Sequence, residues 1–72
     1  MTKFAFNRFG IVHDPRGAQV TWTVAGRTYL ADVVDFWRDP VTGCTMLKTR
    51  HFNGEPAPAV AATFVDVLER RA

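Results

Sequence analysis

The chain contains no serine, and that absence alone removes serine-nucleophile schemes. Cysteine occurs once, at Cys44, so no internal disulfide forms and no cysteine framework holds the fold. A lone thiol fits a reducing compartment. No apolar run approaches the roughly 20 residues a membrane span needs. Lys3 is not followed by the apolar stretch of a signal peptide, so a cytoplasmic protein is expected. The glycines, at 10, 17, 26, 43 and 54, stand singly and match neither the dinucleotide nor the P-loop pattern. Each is read as a turn or bulge.

The remaining catalytic pairings fail on geometry. Cys44 and His51 are seven residues apart on one expected strand, which separates them by more than about 20 Å and turns them to opposite faces. A nucleophile and its base need hydrogen-bond reach. Cys44 is therefore read as a small buried or half-buried apolar residue. His13, His51 and Cys44 lack the paired spacing of a zinc site. Strict alternation puts Asp32 and Asp35 on opposite faces, which excludes a paired-carboxylate site. No enzyme, cofactor or metal site is expected.

What is present favours a folded domain. The 72 residues are 47% hydrophobic, with six Phe, two Trp and one Tyr, and aromatics bury large areas each. A chain this short buries only roughly 60% of the surface its unfolded form exposes. Nine Lys plus Arg against seven Asp plus Glu give a net charge of +2. The basic residues run from Lys3 to Arg71 without forming a tail, so an anionic partner is permitted and not demanded. One domain over 1–72 is expected.

The clearest punctuation is "DPRG" at 14–17, with the residues a type I turn favours. Before it, Phe9, Ile11 and His13 alternate, while Phe4 and Phe6 share the other parity, which predicts a break near Asn7–Arg8. After it, Val20, Trp22 and Val24 face one way and Thr21 and Thr23 the other, a half-buried antiparallel strand. Gly26-Arg27 suits a two-residue loop that would pair Ala25 with Thr28. "TYLADVVDFW" is a longer third strand, "RDPVTG" the next turn, and "CTMLKTRHF" a fourth strand closing at Asn53-Gly54. In "APAVAATFVDVLERR", Val60, Phe64, Val67 and Leu68 fall on one helical stripe. Pro56 and Pro58 are tolerable in a first turn, and Arg70 and Arg71 suit a helix C-terminus. The expected fold is α+β: a four-stranded antiparallel meander over 3–52 and a helix over about 57–71, packed on the Val20/Trp22/Val24 face.

The opposite face would carry Thr21, Thr23, Thr28, Leu30, Asp32, Val34, Phe36 and Arg38. It is either a partner surface or is covered by the N-terminal phenylalanines. In "MLKTRHF", either Met46 points inward and the cations lie at the core rim, or Leu47 points inward and Lys48 and Arg50 face out. In outline, "WRDPVTGCTMLKTRHF" within such a meander resembles integrase arm-binding domains. Three strands and a terminal helix, with Tyr29 opening the long strand, also resemble chromodomains. The first resemblance implies DNA binding, the second peptide binding.

The expected function is that of a small non-enzymatic binding module, a regulator, inhibitor or adaptor that docks on a protein through a sheet face or edge. The alternative is a nucleic-acid reader contacting phosphates with Arg38, Lys48 and Arg50. The partner-binding residues expected are Arg38, Lys48, Arg50, His51, Trp37, Phe36 and Arg27. No membrane partner is expected, and open sheet edges are compatible with self-association.

Overall fold

The structure, a computed structural model, describes residues 2–51, 54 and 56–70, and the side chains of all of these but 56, 69 and 70. Among the described residues it is all β. β1 (Phe6–Asn7) and β2 (Gly10–Ile11) form a small hairpin; β3 (Ala18–Val24), β4 (Arg27–Arg38), β5 (Thr45–Arg50), β6 (Pro56–Ala61) and β7 (Asp66–Arg70) form one sheet in the order β6-β5-β4-β3-β7. Every neighbouring pair in that sheet is antiparallel. The meander expected from β3 to β5 is present, and β6 continues it. β7 then returns to the far side of β3.

The C-terminal helix is therefore wrong, and the residues say why. Val60, Val65 and Val67 are β-branched and fit a pleated surface better than a helix. Val60 and Val65 are buried with Ala62, whereas Phe64 and Leu68, half of the expected helical stripe, are 50% and 43% exposed. Val65 and Val67 instead point inward two apart, with Asp66 between them. Pro56 and Pro58 lie on an edge strand, where a missing N–H costs no ladder bond on the outer side. The outer sides of β3 and β5 needed partners, and this segment supplies both.

The first hairpin of the sheet turns one residue earlier than the sequence suggests. Val24 pairs with Arg27, so Ala25 and Gly26 form the loop. Both have positive φ, 51° and 78°, which is the two-residue turn whose twist matches the flanking strands. The expected Gly26-Arg27 loop would have paired Trp22 with Ala31. The observed register pairs Trp22 with Tyr29, and their rings stack at 5.3 Å. The turn after residue 14 is likewise displaced: Ala18 N–H donates to the Pro15 carbonyl, and Gly17 takes φ 85°. Asp14 accepts from the Arg16 backbone N–H and side chain, and this bond, then the charge itself, raises the Arg16 pKa above its ordinary value. The 39–43 turn is as expected, closed by Gly43 N–H to the Asp39 carbonyl at 2.8 Å. Phe52 and Asn53 of the expected fourth-strand end lie outside the described residues, as does Arg71; Gly54 N–H closes a turn on the His51 carbonyl.

Residues from both ends of the sheet share one core. Val20 on β3, Val33 on β4, Leu47 on β5 and Val60 on β6 meet Ala62, Val65 and Phe4 in a single buried cluster. A flat sheet could not bring β6 and the start of β7 onto the same cluster, so the sheet is strongly curled. Register shifts accompany each bend: between Gln19 and Val20 against β7, Val33 and Asp35 against β5, and Leu47 and Thr49 against β6. Such bulges add twist and curvature. The N-terminal phenylalanines divide: Phe4 enters the core, while Phe9 at the β1–β2 tip is 77% exposed with Arg8 over its ring. The predicted break near Asn7–Arg8 is that tip. The long Phe9–His13 strand is not formed, because β2 ends at Ile11.

Candidate functional site

The register question posed by β5 has a definite answer. Thr45, Leu47 and Thr49 point into the core, Leu47 at 0% exposure, and Lys48 and Arg50 point out. Thr49 is held by its hydroxyl donating to the Pro58 carbonyl at 3.1 Å. Leu47 rather than Met46 is inward because it lies opposite Phe36 and Val60, the inward residues of the two flanking strands.

The bulge in β4 then reshapes the outer face. Before it, Asp32 alternates outward between Ala31 and Val33 and sits directly opposite Arg50. After it the parity flips: Asp35 sits opposite Lys48 and Trp37 opposite Met46, while Phe36 turns in against the core under Arg16. Asp32 and Asp35 therefore share a face, contrary to strict alternation. Phe36, expected on the binding surface, packs inside instead. Trp37 is 44% exposed.

The result is a face with two charged columns. Asp32 and Asp35 form one along β4; Lys48 and Arg50 form the other along β5, row against row. Opposite charges directly across a strand pair are favourable. Yet among the described residues the ion pairs are Lys3–Asp66 at 3.1 Å and Arg16–Asp14 at 2.6 Å, and neither involves this face. Asp32 Oδ1 is buried and finds no hydrogen-bond partner among the described residues. Asp35 is turned partly to its own backbone, accepting from Phe36 N–H at 2.8 Å. The row beyond carries Trp37 and Met46; on the other side lie Leu30, Thr21, Thr23 and Thr28, the last two joined through their hydroxyls at 3.2 Å.

The other expected site residues stand elsewhere. His51 follows the inward parity of β5 and stacks on Tyr29 at 6.3 Å, its Nδ1 3.2 Å from the Leu30 carbonyl oxygen. Arg27 lies over the same Tyr29 ring. Trp22, Tyr29 and His51 are thus one column of nearly parallel rings. The column packs one end of the core, and the cation over it is the chain's own Arg27. Arg38 ends β4, its Nε donating to the Gly43 carbonyl at 3.2 Å. Trp37, Lys48 and Arg50 remain together; Arg27 and His51 form a separate group.

Cys44 is exposed, against the expected burial, because it lies in the turn before β5 begins. His13 lines a cleft of about 210 Å³ between the N-terminal arm and β7, floored by Phe4, Ile11 and Val67. The residues that sequence reasoning placed wrongly include Asp35, Phe36 and Cys44, while the orientation of Met46 was open. The signal for Asp35 is present in hindsight: two aspartates three apart in a strand with one wet face require a parity break. No helix among the described residues is long and apolar enough to cross a membrane. No family model, curated protein or solved structure matches the chain, and the described residues contain no terminal helix of the kind on which the outline resemblances relied.

Proposed function

We propose that the chain is a small non-enzymatic docking module, a regulator, inhibitor or adaptor, that engages a protein through the outer face of β4 and β5. The observation that carries this is the arrangement of Trp37 and Met46 beside four charges of alternating column, none closed into an ion pair within the described chain. Trp and Arg are the usual anchors of protein interfaces. Mixed charge gives such a face register and selectivity.

Two features favour the face over an edge. The β6 edge carries Pro56 and Pro58 and pairs irregularly with β5. The β7 edge is bridged by the arm at Thr2–Val67 and irregular at Gln19/Val20. Prolines, bulges and covering segments all blunt strand addition. A phosphate-reading role fits less well, because each cation lies opposite a carboxylate and Arg38 is turned to a backbone carbonyl.

The test is affinity capture with the intact chain, with Trp37→Ala, and with Phe9→Ser as an exposed control on the hairpin tip, alongside generic duplex DNA over a salt series. The expected result, with the complex fixed by chemical cross-linking before washing so that a weak partner is kept, is a protein retained by the intact chain and the control and lost with Trp37→Ala. Tight duplex binding that weakens steeply with salt would overturn it in favour of a nucleic-acid partner.

A further inference from the structure

The charge pattern of the outer face is complementary to itself. Resting on the docking role proposed above, we infer that the partner this face fits is a second copy of the chain, stacked face to face about a two-fold axis.

Two identical faces can be stacked about a two-fold axis lying between them in two simple ways. With the axis across the strands, β4 lies over β4, and Asp32 and Asp35 meet the same acids. With the axis along the strands, between β4 and β5, each acidic column lies over the basic column of the other copy. Asp35 then faces Lys48 of the second copy, Asp32 faces Arg50 of the second copy, and Trp37 faces Met46 of the second copy. Electrostatics choose the second arrangement, since it brings opposite charges together where the first brings like charges together.

The rows match because the β4 bulge lets Asp32 and Asp35 stand opposite Arg50 and Lys48 in the same order. The apolar row closes one end with a ring and a thioether, a favourable contact. Packed sheets sit about 10 Å apart and rotated by about 30°, within reach of Lys and Arg side chains. An isologous contact of this kind closes after two copies and does not propagate. The contact is two strands wide and three rows long, a small one beside the roughly 800 Å² per partner of a stable complex. The dimer is accordingly a weak one, sought at on the order of 100 μM and dependent on ionic strength.

Sedimentation velocity over a concentration series tests this, at about 50 mM and about 500 mM salt. Two variants are compared with the intact chain: Asp32→Lys with Asp35→Lys, and Lys48→Asp with Arg50→Asp. The intact chain should dimerise at low salt and dissociate at high salt. Each variant alone should be monomeric, and an equimolar mixture of the two should recover the dimer. If either variant fails to fold, by its melting curve, the Asp35→Lys plus Lys48→Asp exchange takes its place. That exchange keeps complementarity within and between copies, so it should retain the dimer that Lys48→Asp alone loses. A monomeric intact chain at about ten times that concentration, or a dimer surviving in both charge variants, overturns the inference. A monomer that still captures a different protein through Trp37 overturns the second-copy partner and leaves the docking role standing. A dimer and a capture both indifferent to Trp37→Ala would remove both.

Discussion

Ala25 is the position where the register of the sheet can be tested most simply. It holds φ 51° in a two-residue loop whose second residue, Gly26, has φ 78°. An L-residue with a Cβ in that region costs roughly 1–2 kcal/mol, and Asn is among the residues that tolerate it best. Ala25→Asn should therefore stabilise the chain by about 1 kcal/mol, which for a domain of this size raises Tm by about 4–8 °C. The reverse change gives a matching number. A Cβ built on Gly26 meets nothing within 4 Å, so Gly26→Ala carries no clash and should cost only the backbone term, about 1–2 kcal/mol. Thermal melts of both variants provide the measurement. If the loop were instead Gly26-Arg27, Ala25 would be a paired strand residue and Asn there would destabilise. A fall in Tm for Ala25→Asn would refute the observed register, and with it the stacking of Trp22 on Tyr29.

Four further outcomes follow from burial and pairing. Leu47→Ala, at a side chain with 0% exposure in the middle of the core, should cost about 2–5 kcal/mol in denaturant unfolding. Val65→Ser should cost more than Phe64→Ser, the latter within about 0.5 kcal/mol as for an ordinary surface change; a helix bearing the Val60–Leu68 stripe would give the reverse order. Asp32→Thr removes the buried carboxylate oxygen that lacks a donor and places a good strand former on a central strand, so it should stabilise by about 1 kcal/mol. Lys3→Ala breaks a half-exposed ion pair to Asp66 and should cost about 1 kcal/mol.

The legibility of this fold in its sequence was uneven for physical reasons. The β3 strand was plain because Val20 and Trp22 alternate with Thr21 and Thr23, and the core does lie on that side. β4 and β5 were found by length and apolar content, but their details depend on bulges, which leave no simple periodic trace. One extra residue near Val34 moved Asp35 and Trp37 outward and Phe36 inward, and so rewrote the outer face. The C-terminal segment reads as a helix from four apolar residues at helical spacing because the chain alone does not show the sheet that needs them. Valine at 60 and 67 and the two prolines describe edge strands once β3 and β5 are known to lack neighbours, with Ala62 and Val65 buried in the connection between them. Lys48, Arg50 and Trp37 are candidates from the chain alone, with the orientation of Lys48 and Arg50 left open by the register of β5. Their acidic counterparts, and the order in which the charges face one another, come from pairing across strands.

The most direct test of the account is an amide chemical-shift titration of the isotopically labelled chain, at low salt, as concentration is raised through on the order of 100 μM and then as any captured protein is added. Changes confined to Asp32, Asp35, Trp37, Met46, Lys48 and Arg50 are predicted. Changes centred instead on the arm and β7 around Thr2 and Val67, or on the Tyr29–His51 end of the core, with the β4–β5 face silent, would contradict it.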